Sequence, residues 1–244
     1  MKKTVILYVS LLSLATVAFG AIASAAEYDT NGVVKFKADT SVTPPVDPTN
    51  PDPENPVTPV DPTNPSGPNP GTAGPLSIDY ASSFQFGEQT ISTVDKVYYA
   101  AIQKFADDTT GPNYVQITDK RGTLEGWSLS VKQNSQFKTA ASNELTGAKI
   151  TLKNAGVASD LDSDTTLVPS TVKSEVVLNP DGSEQTVVTA AENQGVGTWV
   201  YRFGNDATQG ATSVELEVPG KTVKRAEQYS TTMTWVLQTI PGNP

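Results

Sequence analysis

The sequence contains no cysteine and no histidine. Without cysteine there is no disulfide, so an exported domain of this composition must be held by core packing alone. Without histidine, Ser-His-Asp and Cys-His catalytic arrangements are excluded, and the commonest zinc ligand is missing. Basic residues are few: 17 Lys and Arg stand against 26 Asp and Glu, for a formal charge of −9. That balance lacks the cationic footprint that nucleic acids and anionic membranes require. It would also be repelled by phosphate-rich wall polymers, leaving hydrogen bonds, stacking or a protein partner for any wall contact. Long helix-forming runs are absent as well. What recurs instead is Thr, Ser, Val, Asn, Asp and Gly, which favours an all-β chain.

Residues 1–26 read as a secretory signal peptide. Lys2 and Lys3 form its positive end, Val5 to Phe19 its apolar region, and Ala23-Ser24-Ala25-Ala26 its small-residue cleavage site. Removal would leave 15 basic against 26 acidic residues, a net of −11. The apolar run is short for a membrane span, and no later stretch replaces it. The mature chain is therefore expected to be exported and soluble, with no membrane insertion. In residues 27–42 the alternation of Val34 and Phe36 with Lys35 and Lys37 predicts one short strand over Gly32–Lys37.

Residues 43–75 are an Asp/Pro-rich, low-complexity loop or linker. Pro-Val-Asp-Pro-Thr-Asn-Pro occurs twice, at Pro45–Pro51 and Pro59–Pro65. Proline blocks helix and sheet ladders, so the segment is expected to be extended, polyproline-like and solvated. At ~3.1 Å per residue it would reach on the order of 100 Å. Two readings stand: a plain spacer, or a long loop carrying the early strand back to the main sheet.

Residues 76–244 form the folded body, a β domain of ten or so short strands separated by turn signals. This spacing predicts a β-sandwich, Ig-like or open and barrel-like. Val172–Leu178 and Glu184–Thr189 are expected to pair as a hairpin through Asn179-Pro180-Asp181-Gly182.

The most distinctive stretch is Gly126-Trp127-Ser128-Leu129-Ser130-Val131. Trp127, Leu129 and Val131 point one way while Ser128, Ser130 and Lys132 point the other. The same spacing returns near the end as Trp235-Val236-Leu237, and Trp199 is followed at the same offset by Tyr201 and Phe203. The rings serve either as core or as an exposed platform for sugars or a partner. Asp119-Lys120-Arg121-Gly122 reads as a β-turn with Asp119 capping the backbone and Gly122 at positive φ; a contact loop is compatible with that.

Asp160-Leu161-Asp162-Ser163-Asp164 has the spacing that opens a calcium loop. Thr165 stands where the loop needs glycine and Thr171 where it needs the closing Glu, so it reads as a solvated acidic loop and no metal site is assigned. Asp107, Asp108, Glu125 and Glu192 are acidic candidates for glycoside hydrolysis, but no spacing singles out a pair. No catalytic residue and no cofactor are assigned.

Taken together, the chain resembles the WxL-domain cell-surface proteins of low-GC Gram-positive bacteria. The resemblance rests on the signal peptide, the early strand, the Asp/Pro-rich repeat and Gly74-Pro75-Leu76-Ser77-Ile78-Asp79-Tyr80. It continues with the turn at Asp119–Gly122, Leu145-Thr146-Gly147-Ala148 and both Trp-x-Leu elements. It implies non-covalent association with peptidoglycan, direct or through companion cell-surface proteins. Carried over by position, the signature residues are Trp127, Leu129, Trp235 and Leu237. The chain ends Ile240-Pro241-Gly242-Asn243-Pro244 without a Leu-Pro-x-Thr-Gly sorting motif, as expected for a non-covalent anchor. The expected function is therefore wall attachment at the cell surface without catalysis. The alternative is a protein-interaction subunit that reaches the wall only through a partner.

Overall fold

The computed structural model describes residues 26–240. The expected signal segment, apart from Ala26, lies outside the described residues. The chain divides into two units, residues 1–36 and 37–244.

In the first unit the described residues, 26–36, carry no regular secondary structure, and Val33, Val34 and Phe36 are exposed. The alternation over Gly32–Lys37 does not report a strand. So short a run offers little apolar area to offset the entropy of ordering it.

The second unit is all-β. Its strands are β1 (Pro59–Val60), β2 (Leu76–Ala81), β3 (Lys96–Tyr99), β4 (Gln103–Phe105) and β5 (Thr110–Gly111). They continue with β6 (Tyr114–Asp119), β7 (Trp127–Gln133), β8 (Lys149–Leu152), β9 (Ala155–Ala158) and β10 (Thr171–Val172). The last five are β11 (Val176–Val177), β12 (Gln185–Ala190), β13 (Gly197–Phe203), β14 (Val214–Val218) and β15 (Met233–Thr239). One short helix, α1 (Ala207–Gly210), is capped by the Asp206 carboxylate, which accepts from Gln209 N.

These strands do not form the two facing sheets of a sandwich. They form four small antiparallel sheets, in the manner of a four-bladed β-propeller. A small sheet orders β1-β4-β5, a central sheet β2-β6-β13-β9, a charged sheet β11-β8-β14-β3, and a motif sheet β10-β12-β7-β15. The sandwich expectation fails because strand spacing reports how many strands there are, not which ones share a sheet. Consecutive β7, β8 and β9 enter three different sheets.

The expected hairpin fails for the same reason. The turn is present, with Gly182 at φ 80° and Asp181 accepting from Ser183 N at 2.8 Å. Its flanks diverge, however: β11 pairs with β8 and β12 with β7, and only Thr171–Val172 pairs with β12.

The main core collects one face of each of the three larger sheets, including Ile117, Trp127, Leu129, Ile150, Trp199, Phe203 and Leu216. The outer face of the charged sheet is solvated, and Lys149–Glu217 and Lys153–Glu215 pair across it at 2.7 Å. The central sheet is buried on both sides. Val115 and Ile117 of β6 face the main core, whereas Tyr114, Gln116 and Thr118 face a second cluster.

That second cluster corrects the reading of residues 43–75 as solvated. Val46 is fully buried among Tyr80, Phe105, Tyr114 and Val200. Gln116 donates to Pro44 O at 2.9 Å and accepts from Val46 N at 2.7 Å. Pro59–Val60 is itself strand β1, paired with β4. Proline forbids ladder donation only at its own nitrogen; its carbonyl and its neighbours' groups remain free to bond. Val46 and Pro48 thus lie buried against the central sheet and Pro59 in the small sheet, while the rest of the segment is exposed or half-buried.

Candidate functional site

The two Trp-x-Leu elements are far apart in sequence and adjacent in space. β15 lies antiparallel beside β7, with Leu237 opposite Leu129, Trp235 opposite Val131 and Thr239 opposite Trp127. Opposed residues share a face, so the tryptophans and leucines of both elements are turned inward together.

Trp127 and Leu129 are fully buried, and Trp235 and Leu237 partly so. Trp127 Nε1 donates to Gly195 O at 2.9 Å, which satisfies the one polar atom of the ring. Two glycines make room for it. Gly126, at φ 75°, has a Cβ position blocked by the carbonyls of Ala190 and Ala191; Gly195, at φ 70°, has one blocked by the Trp127 ring and Ala190 Cβ. Trp235 stacks on Phe203 with centroids 6.4 Å apart and planes at 25°. Trp199 is also fully buried, its Nε1 donating to Val196 O at 3.0 Å. All three rings contribute to the core, two of them entirely.

The opposite face of the motif sheet is polar and open. Its cross-strand rows follow from the register. One row runs Thr171, Thr189, Ser128 and Gln238; the next Thr186, Ser130 and Val236; the third Lys132 and Thr234. Thr171, Thr186 and Gln238 are exposed and Thr189, Lys132 and Thr234 half-buried, while Ser130 is covered by its neighbours and meets Thr186 Oγ1 at 3.1 Å. Asn134, just past β7, donates to the hydroxyls of Thr232 and Thr234 and lines a concavity of about 340 Å³ with Lys138, Glu144 and Asp181. Hydroxyl and amide groups both donate and accept, so this face offers neutral hydrogen-bonding groups at the ~4.8 Å spacing of adjacent strands. The middle residues of the two motifs, Ser128 and Val236, both lie on it.

The turn at Asp119–Gly122 fixes the end of this sheet. Asp119 Oδ1 accepts from Arg121 N at 3.0 Å, and Gly122 has φ 71°, as the turn reading expects. The Arg121 guanidinium then bonds Asp119 through Nε and Nη2, Gly126 O at 2.7 Å and Thr239 Oγ1 at 2.9 Å. The Asp119 carboxylate beside it raises the guanidinium pKa and holds the charge. Arg121 therefore joins β6, the start of β7 and the end of β15. Lys120 turns the other way, to Asp39 at 2.8 Å.

Three of the acidic residues have local partners. Asp164 accepts from Thr166 N and Oγ1, and Asp107 from Thr109 N and Oγ1, each closing a local turn. Glu125 lies 3.5 Å from Arg121 Nη1. Among the described residues no group of three or more acidic side chains is placed to hold a metal ion.

Sequence reading missed Thr171, Thr186, Thr189 and Gln238 because they join Ser128 only through long-range pairing. It also missed Asp79, which is buried and accepts from Ser77 Oγ at 2.6 Å, Thr118 Oγ1 at 2.6 Å and Gln116 Nε2 at 3.0 Å. Burial pushes its pKa up, against the pull of those donors and of Lys120.

A family model for the WxL domain, described as a surface cell wall-binding domain, matches residues 23–241. No curated protein and no solved structure matches the chain.

Proposed function

The chain belongs to the WxL domain family of surface cell wall-binding domains, and from that premise we propose that it holds peptidoglycan non-covalently on the open face of the motif sheet. The observation that carries this reading is the register of β7 and β15. It turns both Trp-x-Leu elements into the core and leaves Ser128, Thr189, Gln238 and Thr234 in rows on the outside. Sugar hydroxyls and acetamido groups are neutral donors and acceptors, and the rows match them in kind. An acidic chain gains nothing from bulk charge at the wall, so neutral hydrogen bonding is the mode its composition favours. In this reading the tryptophans act by holding the rows flat and in register, and the protein is an adhesion module without catalysis, exported by the segment at residues 1–26.

The test is sedimentation with purified sacculi. Thr171→Glu with Gln238→Glu places two charges at the exposed ends of one row, not opposite each other, and is expected to abolish co-sedimentation while the thermal melt stays within a few degrees of the parent. Retained binding in a folded double variant defeats the assignment of this face. Sacculus turbidity is expected to stay constant; clearing would defeat the non-enzymatic part.

A second reading is supported by β3, an outer strand of the charged sheet on which Val97 and Tyr99 are roughly half exposed. Such an edge suits a companion surface protein. If the chain reaches the wall only through that companion, the purified protein ignores bare sacculi and sediments once the companion is added.

A further inference from the structure

Side chains of the body bond the backbone of both proline-rich repeats, and the first repeat alone buries its valine: Val46 is fully buried, Val60 43% exposed. In each, the aspartate accepts from the threonine two residues on, at N and at Oγ1: Asp47 from Thr49 and Asp61 from Thr63, all four distances 2.7 Å. In each, the carbonyl of the proline after the aspartate is read by a long side chain, Pro48 O by Arg202 Nη1 at 2.8 Å and Pro62 O by Gln85 Nε2 at 3.2 Å. In each, the valine backbone is read by a buried glutamine, Val46 N by Gln116 Oε1 and Val60 O by Gln103 Nε2 at 2.9 Å. The floor of the first seat is aromatic. Tyr80 and Tyr114 pack at 4.9 Å beneath Val46, with Phe105 beside them, and Pro48 rests on Gly111. An extended, proline-stiffened peptide held by its carbonyls over an aromatic floor is the physics of polyproline recognition, in which the ligand has little conformational entropy left to lose.

We infer that Gln116, Arg202, Gln103 and Gln85 make a tandem binding site for Pro-Val-Asp-Pro-Thr-Asn-Pro peptides, filled here by the chain's own repeats and open to the same repeats of a second copy. The seats share the carbonyl bond after the aspartate, and the first, which also buries its valine and bonds its N–H, holds the heptad by side chain as well as by backbone. The connection from Pro65 to Leu76 is short and rich in glycine and proline, so it holds the repeats at an effective concentration on the order of millimolar. Micromolar protein therefore fills its own seats, while chains crowded to millimolar density exchange repeats and link to one another.

The experiment uses the whole mature chain with a protease site inserted after Gly67, an open position with no atom within 4 Å of its Cβ. After cleavage, the N-terminal piece is expected to remain with the body and to exchange with a fluorescent peptide of residues 43–67. A peptide carrying Val46→Asp is expected to bind at least tenfold more weakly. The uncut chain should ignore the peptide at micromolar concentration and form dimers near millimolar that the peptide dissolves. If the cut chain keeps its melt and takes up no peptide, or takes up both peptides equally, the site is refuted. If cleavage unfolds the body, added peptide must restore the folded signal, and failure to do so also refutes it. An uncut chain that stays monomeric at millimolar concentration removes the second copy as occupant.

Discussion

Replacing Trp127 by alanine separates support from contact. The ring is fully buried, and its Nε1 is 2.9 Å from Gly195 O. Tryptophan-to-alanine changes at buried sites cost about 3–5 kcal/mol, the lost ring hydrogen bond included. A central figure of about 4 kcal/mol is a large fraction of a stability of about 5–15 kcal/mol. For a chain of this size about 1 kcal/mol moves the melting temperature by about 2–4 °C, so the expected drop is about 8–16 °C. The assay is circular dichroism melting of the mature chain, paired with sedimentation on sacculi well below the variant's transition. Trp127→Ala is expected to melt early and still sediment while folded. Thr171→Glu with Gln238→Glu, both at exposed positions, is expected to melt like the parent and stay in the supernatant. A Trp127→Ala protein that melts like the parent, or that is folded and fails to sediment, refutes the division of labour between the two faces.

Gly195→Ala puts a methyl group into the Trp127 ring, and Gly126→Ala puts one against the Ala190 and Ala191 carbonyls, both at positive φ; each melt is expected to fall by several degrees, that of Gly126→Ala by more because its obstacle is backbone. Asp119→Ala removes the Arg121 guanidinium's bonds to the carboxylate and leaves those to Gly126 O and Thr239 Oγ1; losing charge-assisted hydrogen bonds costs about 1.5–3 kcal/mol, read as a lower denaturant midpoint at unchanged slope. Asp79 titrates in the opposite sense to a salt-bridged carboxylate. Burial raises its folded-state pKa, so between the ordinary aspartate value and the raised one the folded chain holds the extra proton. This group's contribution to stability grows as pH falls through that window and is lost as pH rises. The melting temperature of the wild type relative to Asp79→Asn is expected to move in the wild type's favour from pH 7 towards pH 4; a difference independent of pH would show that Asp79 does not titrate there.

Local features were legible in the sequence. The alternation of β7, the turn at Asp119–Gly122 and the inward Trp127 and Leu129 all follow from period-two patterning and turn chemistry over a few residues. Partnership was not. The hairpin turn at Asn179–Gly182 is real, yet it delivers its flanks to different sheets. In β6, Tyr114, Gln116 and Thr118 alternate with Val115, Ile117 and Asp119, and both faces are buried. A polar face that meets another polar segment has the same alternation as one that meets water. The proline repeats supplied that segment, and their composition suggested the opposite role.

Lys120 and Arg121 are consecutive, and between them they grip Asp39 at the start of the second unit and Thr239 on its last strand. Two residues far apart in the sequence are thus tied to one turn, through one ion pair and one hydrogen bond. A change that loosens this turn therefore reaches the first residues of the unit and its last strand at once.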